Sequence, residues 1–172
     1  MKLILEALTS VAFAPFGDVL DVAGVPDKII NQGMCGRYHD RAVLDFTEGY
    51  AGISLFKAEA RNLPIVLDMM ERHPEGSQAF IPMSMNPFVV VVAPDADGRP
   101  GRPRAFITTV GQGVNYHRAI WHGVLTPLFA PGLFCVIDRI GTSPNLEEYW
   151  FDTAYTITAA AVKVMATTDI GT

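Results

Sequence analysis

The chain has 172 residues, 49% of them hydrophobic and 18% charged, with a formal net charge of -5. That length and balance fit one well-packed globular domain and argue against a disordered chain. The acidic balance leaves no basic footprint for nucleic acid, although local arginines still allow a small anionic substrate.

The N-terminal stretch MKLILEALTSVAFAPFGDVL carries one lysine and a short apolar run, interrupted by Glu6, Pro15 and Gly17. It lacks the apolar centre and cleavage site of a secretory signal. No segment approaches the roughly 20 apolar residues of a membrane span, so the expectation is a soluble, cytoplasmic protein with no membrane partner. Residues 9–16 predict a short helical turn capped by Thr9 or Ser10. Cys35 and Cys135 stand apart with no CxxC spacing, and read as free thiols.

From about residue 51 onward the chain reads mostly as β-structure. AGISLFKAEA (51–60), QAFIPM (78–83), PFVVVVAP (87–94), RAFITTV (104–110) and GLFCVIDRI (132–140) are short, apolar and rich in β-branched residues. PDADGRPGRP (94–103) predicts a hairpin excursion. Strands separated by turns at this density suggest a sandwich or a barrel. LPIVLDMMERHP (63–74) fits a helix by its Leu and Met content. It fits a strand equally well, with Ile65, Leu67, Met69, Glu71 and His73 on one face. After about residue 146, YTIT suits a strand and AAAVKVMA a terminal helix, and the residues leave that choice open.

Three of the four histidines fall in two stretches, ERHPEGSQAFIPM (71–83) and GVNYHRAIWHG (113–123). If 65–73 is a strand, its period of two puts Glu71 and His73 on one face, and Gln78 comes after a turn at 74–76. The resulting E-x-H-x4-Q set offers oxygen and nitrogen donors that a later histidine could complete into a metal site. His117 and His122 are five apart, so a continuous strand would send them to opposite faces. Tyr116, Arg118 and His122 would then share one face, and Asn115, His117 and Trp121 the other. Arg72 and Arg118 also read as ordinary salt-bridge partners, and His39 as a structural or subunit-contact residue.

Taken in order, AFAPFGDVL, INQG, RYHD, ERHPEGSQAFIPM, FVVVVA, RAFIT, GQGVNYHRAIWH and FCVIDR resemble the ureidoglycolate lyase family of allantoin catabolism. The resemblance covers about residues 3–145. It implies a mainly β, cupin-type double-stranded β-helix, a jelly-roll barrel with a few short helices. A single cupin-like domain would span 1–172, with an extension of uncertain structure after about residue 146. It also implies a homodimer and a carbon–nitrogen lyase that splits (S)-ureidoglycolate into glyoxylate and urea. In that frame LDMMERHP becomes a barrel strand.

Against the general cupin pattern, Glu71, His73 and Gln78 stand at the first motif and His122 at the second, which favours His122 over His117. Glu and Gln replace a histidine and a glutamate of that pattern, so both a weakly held divalent ion and a metal-free site stay open. Nickel enters through the resemblance alone. For the reaction, Glu71 or His122 would be the base and His73 or His117 the acid. Gln78, Tyr116, Arg118 or Arg139 would hold the substrate's carboxylate or ureido group. A cupin acting on another small hydroxy acid or ureido compound, and a non-catalytic effector- or sugar-binding cupin, are the alternatives.

Overall fold

The computed structural model describes residues 1–160, so most of AAAVKVMA lies outside the described residues. Two sheets make up the body. The first runs, neighbour to neighbour, through Lys2–Ile4, Glu147–Thr158, Ile65–Arg72, Trp121–His122, Phe88–Ala93, Arg104–Ile107 and Glu6–Ala7. The second runs through Gly17–Leu20, Gly113–Tyr116, Gln78–Pro82, Gly132–Ile140 and Tyr50–Ala58. The architecture is mainly β, a cupin-type jelly roll with a nearly closed mixed barrel.

Closure of the first sheet follows from its edges. Lys2–Ile4 pairs with Glu147–Thr158 at one end, while Glu6–Ala7 pairs with Arg104–Ile107 at the other. Only Leu5 separates these two segments in the chain, and its amide donates to the Thr158 carbonyl. The sheet must therefore curl until its ends meet. That curl creates two cores and accounts for the unbroken apolar run FVVVVA, in which every residue is buried. Phe88, Val90 and Val92 pack between the sheets with Phe80, Val114, Phe134 and Val136. Val89, Val91 and Ala93 face inward on the curled sheet with Leu67, Met70, Trp121 and Ile157. A strand buried on both faces has no polar alternation to display.

The smaller elements follow local chemistry. Thr9 caps the helix Ser10–Phe13, its hydroxyl accepting from the Ala12 amide at 3.2 Å. The hairpin excursion forms between Asp95–Ala96 and Arg99–Pro100. Asp97 and Gly98 both have positive φ, 54° and 78°, as a type I′ turn demands. Gly17 lies so close to the Asn115 carbonyl that a Cβ there would collide with backbone.

Residues 63–74 settle as the strand Ile65–Arg72, but not with the simple alternation expected of it. Ile65 and Leu67 face the curled-sheet core, and so does Met70, three residues on. The phase changes near Met69, beside a register shift in the neighbouring strand between Trp150 and Tyr155. Glu71 thereby reaches the space between the sheets, whereas Ile65 and Leu67 do not share its face. Arg72 turns the other way, 4.5 Å over the Trp121 ring, with ion pairs to Asp95 and Glu147.

The segment after residue 146 is also built in. Glu147–Thr158 is a strand between Ile65–Arg72 and Lys2–Ile4, and YTIT belongs to it.

Candidate active site between the sheets

The side-chain cluster assembles where the chain crosses from one sheet to the other. The first crossing, residues 73–77, comes after the strand carrying Glu71 and leads into the strand that begins with Gln78. The second, residues 117–120, separates Gly113–Tyr116 in the second sheet from Trp121–His122 in the first. The crossings are tied together, because the Ala119 amide donates to the His73 carbonyl at 3.0 Å. The chain is not a continuous strand from 113 to 122, so period-two counting fails across it. Tyr116 and His122 nevertheless face one another, stacked at 4.4 Å with an interplanar angle of 4°. Arg118 belongs to the turn.

Glu71 and His122 are direct cross-strand partners. Their ligand atoms and one of His73 all lie within 4.8 Å of one another. The two imidazole centroids are 5.2 Å apart. Gln78 is the register partner of Tyr116 and is buried, with its Oε1 unpaired.

Hydrogen bonding decides which ring nitrogen keeps its lone pair. His73 Nδ1 lies 2.6 Å from the Asn145 carbonyl, and His122 Nδ1 lies 3.1 Å from the Gly123 carbonyl. A carbonyl can only accept, so each Nδ1 carries a proton and each neutral ring keeps its lone pair on Nε2. Both Nε2 atoms are buried without a protein partner. Paired carbonyls behind two free lone pairs are what a metal-ligating or acid–base histidine needs. With Glu71 as the third donor, the cluster fits a divalent cation.

Burial dominates the electrostatics. It pushes His122 down to about 3, aided by the neighbouring His73 and opposed by the Gly123 carbonyl. His122 is therefore neutral near pH 7, and its 3.9 Å approach to Glu71 is not an ion pair. Burial raises the Glu71 carboxyl, with His73 opposing and Glu148 reinforcing. Glu148 is the cross-strand partner of Glu71 on the opposite side from His122. Burial, and then Glu71, pushes the Tyr116 phenol upward, so it stays a donor.

The other expected residues sit elsewhere. His117 is exposed on the turn, 3.5 Å from Asp18. Arg118 pairs with Asp45 at 2.9 Å. Arg139 is buried, but its guanidinium donates to the Glu48 carbonyl at 2.6 Å and to Ser143 Oγ at 2.5 Å. Asn145, Gly123 and Glu148 carry no motif, and only the folded contacts reveal them.

A family model described as ureidoglycolate lyase matches residues 1–158. The chain belongs to the ureidoglycolate lyase family. A protein of Rhodobacter capsulatus named ureidoglycolate lyase is 62% identical over 149 residues, covering 86% of this chain and 92% of the relative. One of Mesorhizobium japonicum is 51% identical over 158 residues, covering 91% and 97%. A third, of Chelativorans sp., is 49% identical over 158 residues, covering 91% and 96%. The family match extends through the strand Glu147–Thr158, beyond the point near residue 145 where the motifs alone stop resembling it.

Proposed function

We propose that the protein is a ureidoglycolate lyase, cleaving (S)-ureidoglycolate to glyoxylate and urea in allantoin and purine-nitrogen catabolism. The observation that carries the reading to particular residues is the convergence of Glu71, His73 and His122 with unpaired Nε2 atoms. Membership of the family supplies the substrate.

The reacting carbon of ureidoglycolate bears a hydroxyl, a carboxylate and a urea nitrogen. A base removes the hydroxyl proton, the C–O bond becomes the C=O of glyoxylate, and the C–N bond breaks with its electron pair on nitrogen. An acid then protonates that nitrogen to release urea. Glu71 suits the base, because burial raises its carboxyl toward the working range. His122 is too weakly basic for that step and serves as a neutral acceptor or ligand. His73 suits the acid when its Nε2 also carries a proton, the one that passes to the leaving nitrogen, while Nδ1–H stays anchored on the Asn145 carbonyl. The Gln78 amide and the Tyr116 phenol provide neutral donors for the carboxylate and ureido groups. Where a divalent ion is held by Glu71, His73 and His122, it supplies Lewis-acid polarisation of the hydroxyl and carboxylate. Nickel is the first ion to test.

Among the described residues no helix is long and apolar enough to cross a membrane, and a cytoplasmic enzyme is the reading we adopt. We also propose a homodimer. The strand Tyr50–Ala58 lies at an open sheet edge and presents Ile53 and Leu55, 75% and 73% exposed, with Leu55 in line with Ile81 of the same sheet through Cys135. An apolar face beside a free edge suits isologous pairing with a second copy. Ile53→Asp should shift the protein to monomer in sedimentation equilibrium, and an unchanged mass would exclude this face.

Incubation of purified protein with (S)-ureidoglycolate should yield glyoxylate and urea in equal amounts. Release that falls on chelation and returns with a divalent ion would assign Glu71, His73 and His122 to holding that ion, and release unchanged by chelation would leave Glu71 and His73 as base and acid. Binding without turnover would instead favour an effector-binding role.

A further inference from the structure

We infer that Asn145 is a positioning residue that sets the His73 imidazole for the reaction, an inference that rests on the proposed lyase role. Asn145 grips the first sheet crossing at two points. Its backbone carbonyl accepts from His73 Nδ1 at 2.6 Å, and its side-chain Oδ1 accepts from the Glu75 amide at 2.7 Å. The carbonyl alone would hold the ring only as firmly as the loop holds the carbonyl. The side chain closes a second bond two residues along the same crossing, so carbonyl and ring belong to one rigid unit.

That loop is itself fixed from behind. The Arg139 guanidinium donates to both the carbonyl and the hydroxyl of Ser143, two residues before Asn145. It also donates to the Glu48 carbonyl, on a segment that pairs with the crossing through Phe46 and Gly76. Gly141 lies against the guanidinium so closely that a Cβ would strike it at 2.5 Å. Arg139 thus stitches together the two loops framing His73, and Asn145 passes that order to the ring. The consequence is chemical. With Nδ1–H locked onto a carbonyl, Nε2 is the nitrogen left free to move a proton or bind an ion.

The test compares Asn145→Ala with Asn145→Asp, since aspartate keeps an acceptor for the Glu75 amide. Asn145 lies at a partly exposed loop position, and a thermal midpoint checks that both variants fold. Two readouts are followed: turnover of (S)-ureidoglycolate, and the ¹⁵N signals of the His73 ring. Asn145→Ala should lower kcat by about 10- to 100-fold with little change in KM. Its His73 signals should change from a single Nδ1–H form to a mixture of tautomers, and Asn145→Asp should restore both properties. Wild-type turnover with an unchanged tautomer in Asn145→Ala would overturn the inference. So would lost turnover with unchanged His73 signals, because the loss would then not run through the ring. Failure of the wild-type protein to cleave ureidoglycolate would overturn the lyase reading instead, and the tautomer comparison would still decide the role of Asn145.

Discussion

Glu71→Gln is expected to lower kcat for ureidoglycolate cleavage by about 10²- to 10⁴-fold, the range for loss of a positioned general base. The substitution preserves shape and hydrogen-bonding capacity but removes the group that accepts the hydroxyl proton. Folding should survive it. Glu71 sits between His122 and Glu148 across three strands, and burial already opposes its charge. A neutral amide relieves both that burial cost and the repulsion from Glu148, so the thermal midpoint should hold or rise. Turnover within a few-fold of wild type would remove Glu71 from the chemistry. A collapse of stability would show instead that the carboxylate supports the fold.

The second large effect is on stability against pH, and it belongs to His122. Its folded pKa is about 3 and its ordinary value 6.5. Between those values the unfolded chain binds a proton that the native chain refuses. Stability is therefore complete above about pH 6.5 and is lost as pH falls toward 3, at up to about 1.4 kcal/mol per pH unit. Glu71 acts in the opposite sense. Its raised carboxyl takes a proton in the native state before it does in the unfolded one, which offsets part of the loss at the acid end. His122→Phe keeps an aromatic ring against Tyr116 and removes the titration. In metal-free protein, urea midpoints at about pH 7 and about pH 5 should separate clearly for wild type and much less for the variant. Equal acid sensitivity in the two would place the responsible group elsewhere. The variant should also be inactive.

Much of this architecture is legible in the letters, for identifiable reasons. PFVVVVAP suits a buried strand because proline bounds a short β-branched run on both sides, and the Asp-Gly pair at 97–98 fits the turn between its neighbours. Glu71 with His73 emerges from period-two counting, although simple alternation is only part of the physical reason. The strand changes phase near Met69, and a register shift in a partner some eighty residues away has no local signature. The turn at 117–120 is equally invisible, and Tyr116 and His122 meet because the chain crosses from one sheet to the other there and both rings face the space between. Arg139 shows the opposite case. A lone arginine in an apolar strand looks like a substrate anchor, but its guanidinium is occupied by Glu48 and Ser143. Whether a buried cation meets a ligand or a carbonyl depends on loops that sequence patterns do not place. The strand Glu147–Thr158 is obscured by its irregular register, which breaks the alternation by which strands are recognised.

On the proposed reading, ureidoglycolate is cleaved in the space between the sheets where Glu71, His73 and His122 converge. Product analysis of the purified protein with (S)-ureidoglycolate, run beside Glu71→Gln, tests it most directly. Glyoxylate and urea should appear one for one with the wild-type protein and be nearly absent with the variant. Ammonia in place of urea, or equal product from both proteins, would contradict the account.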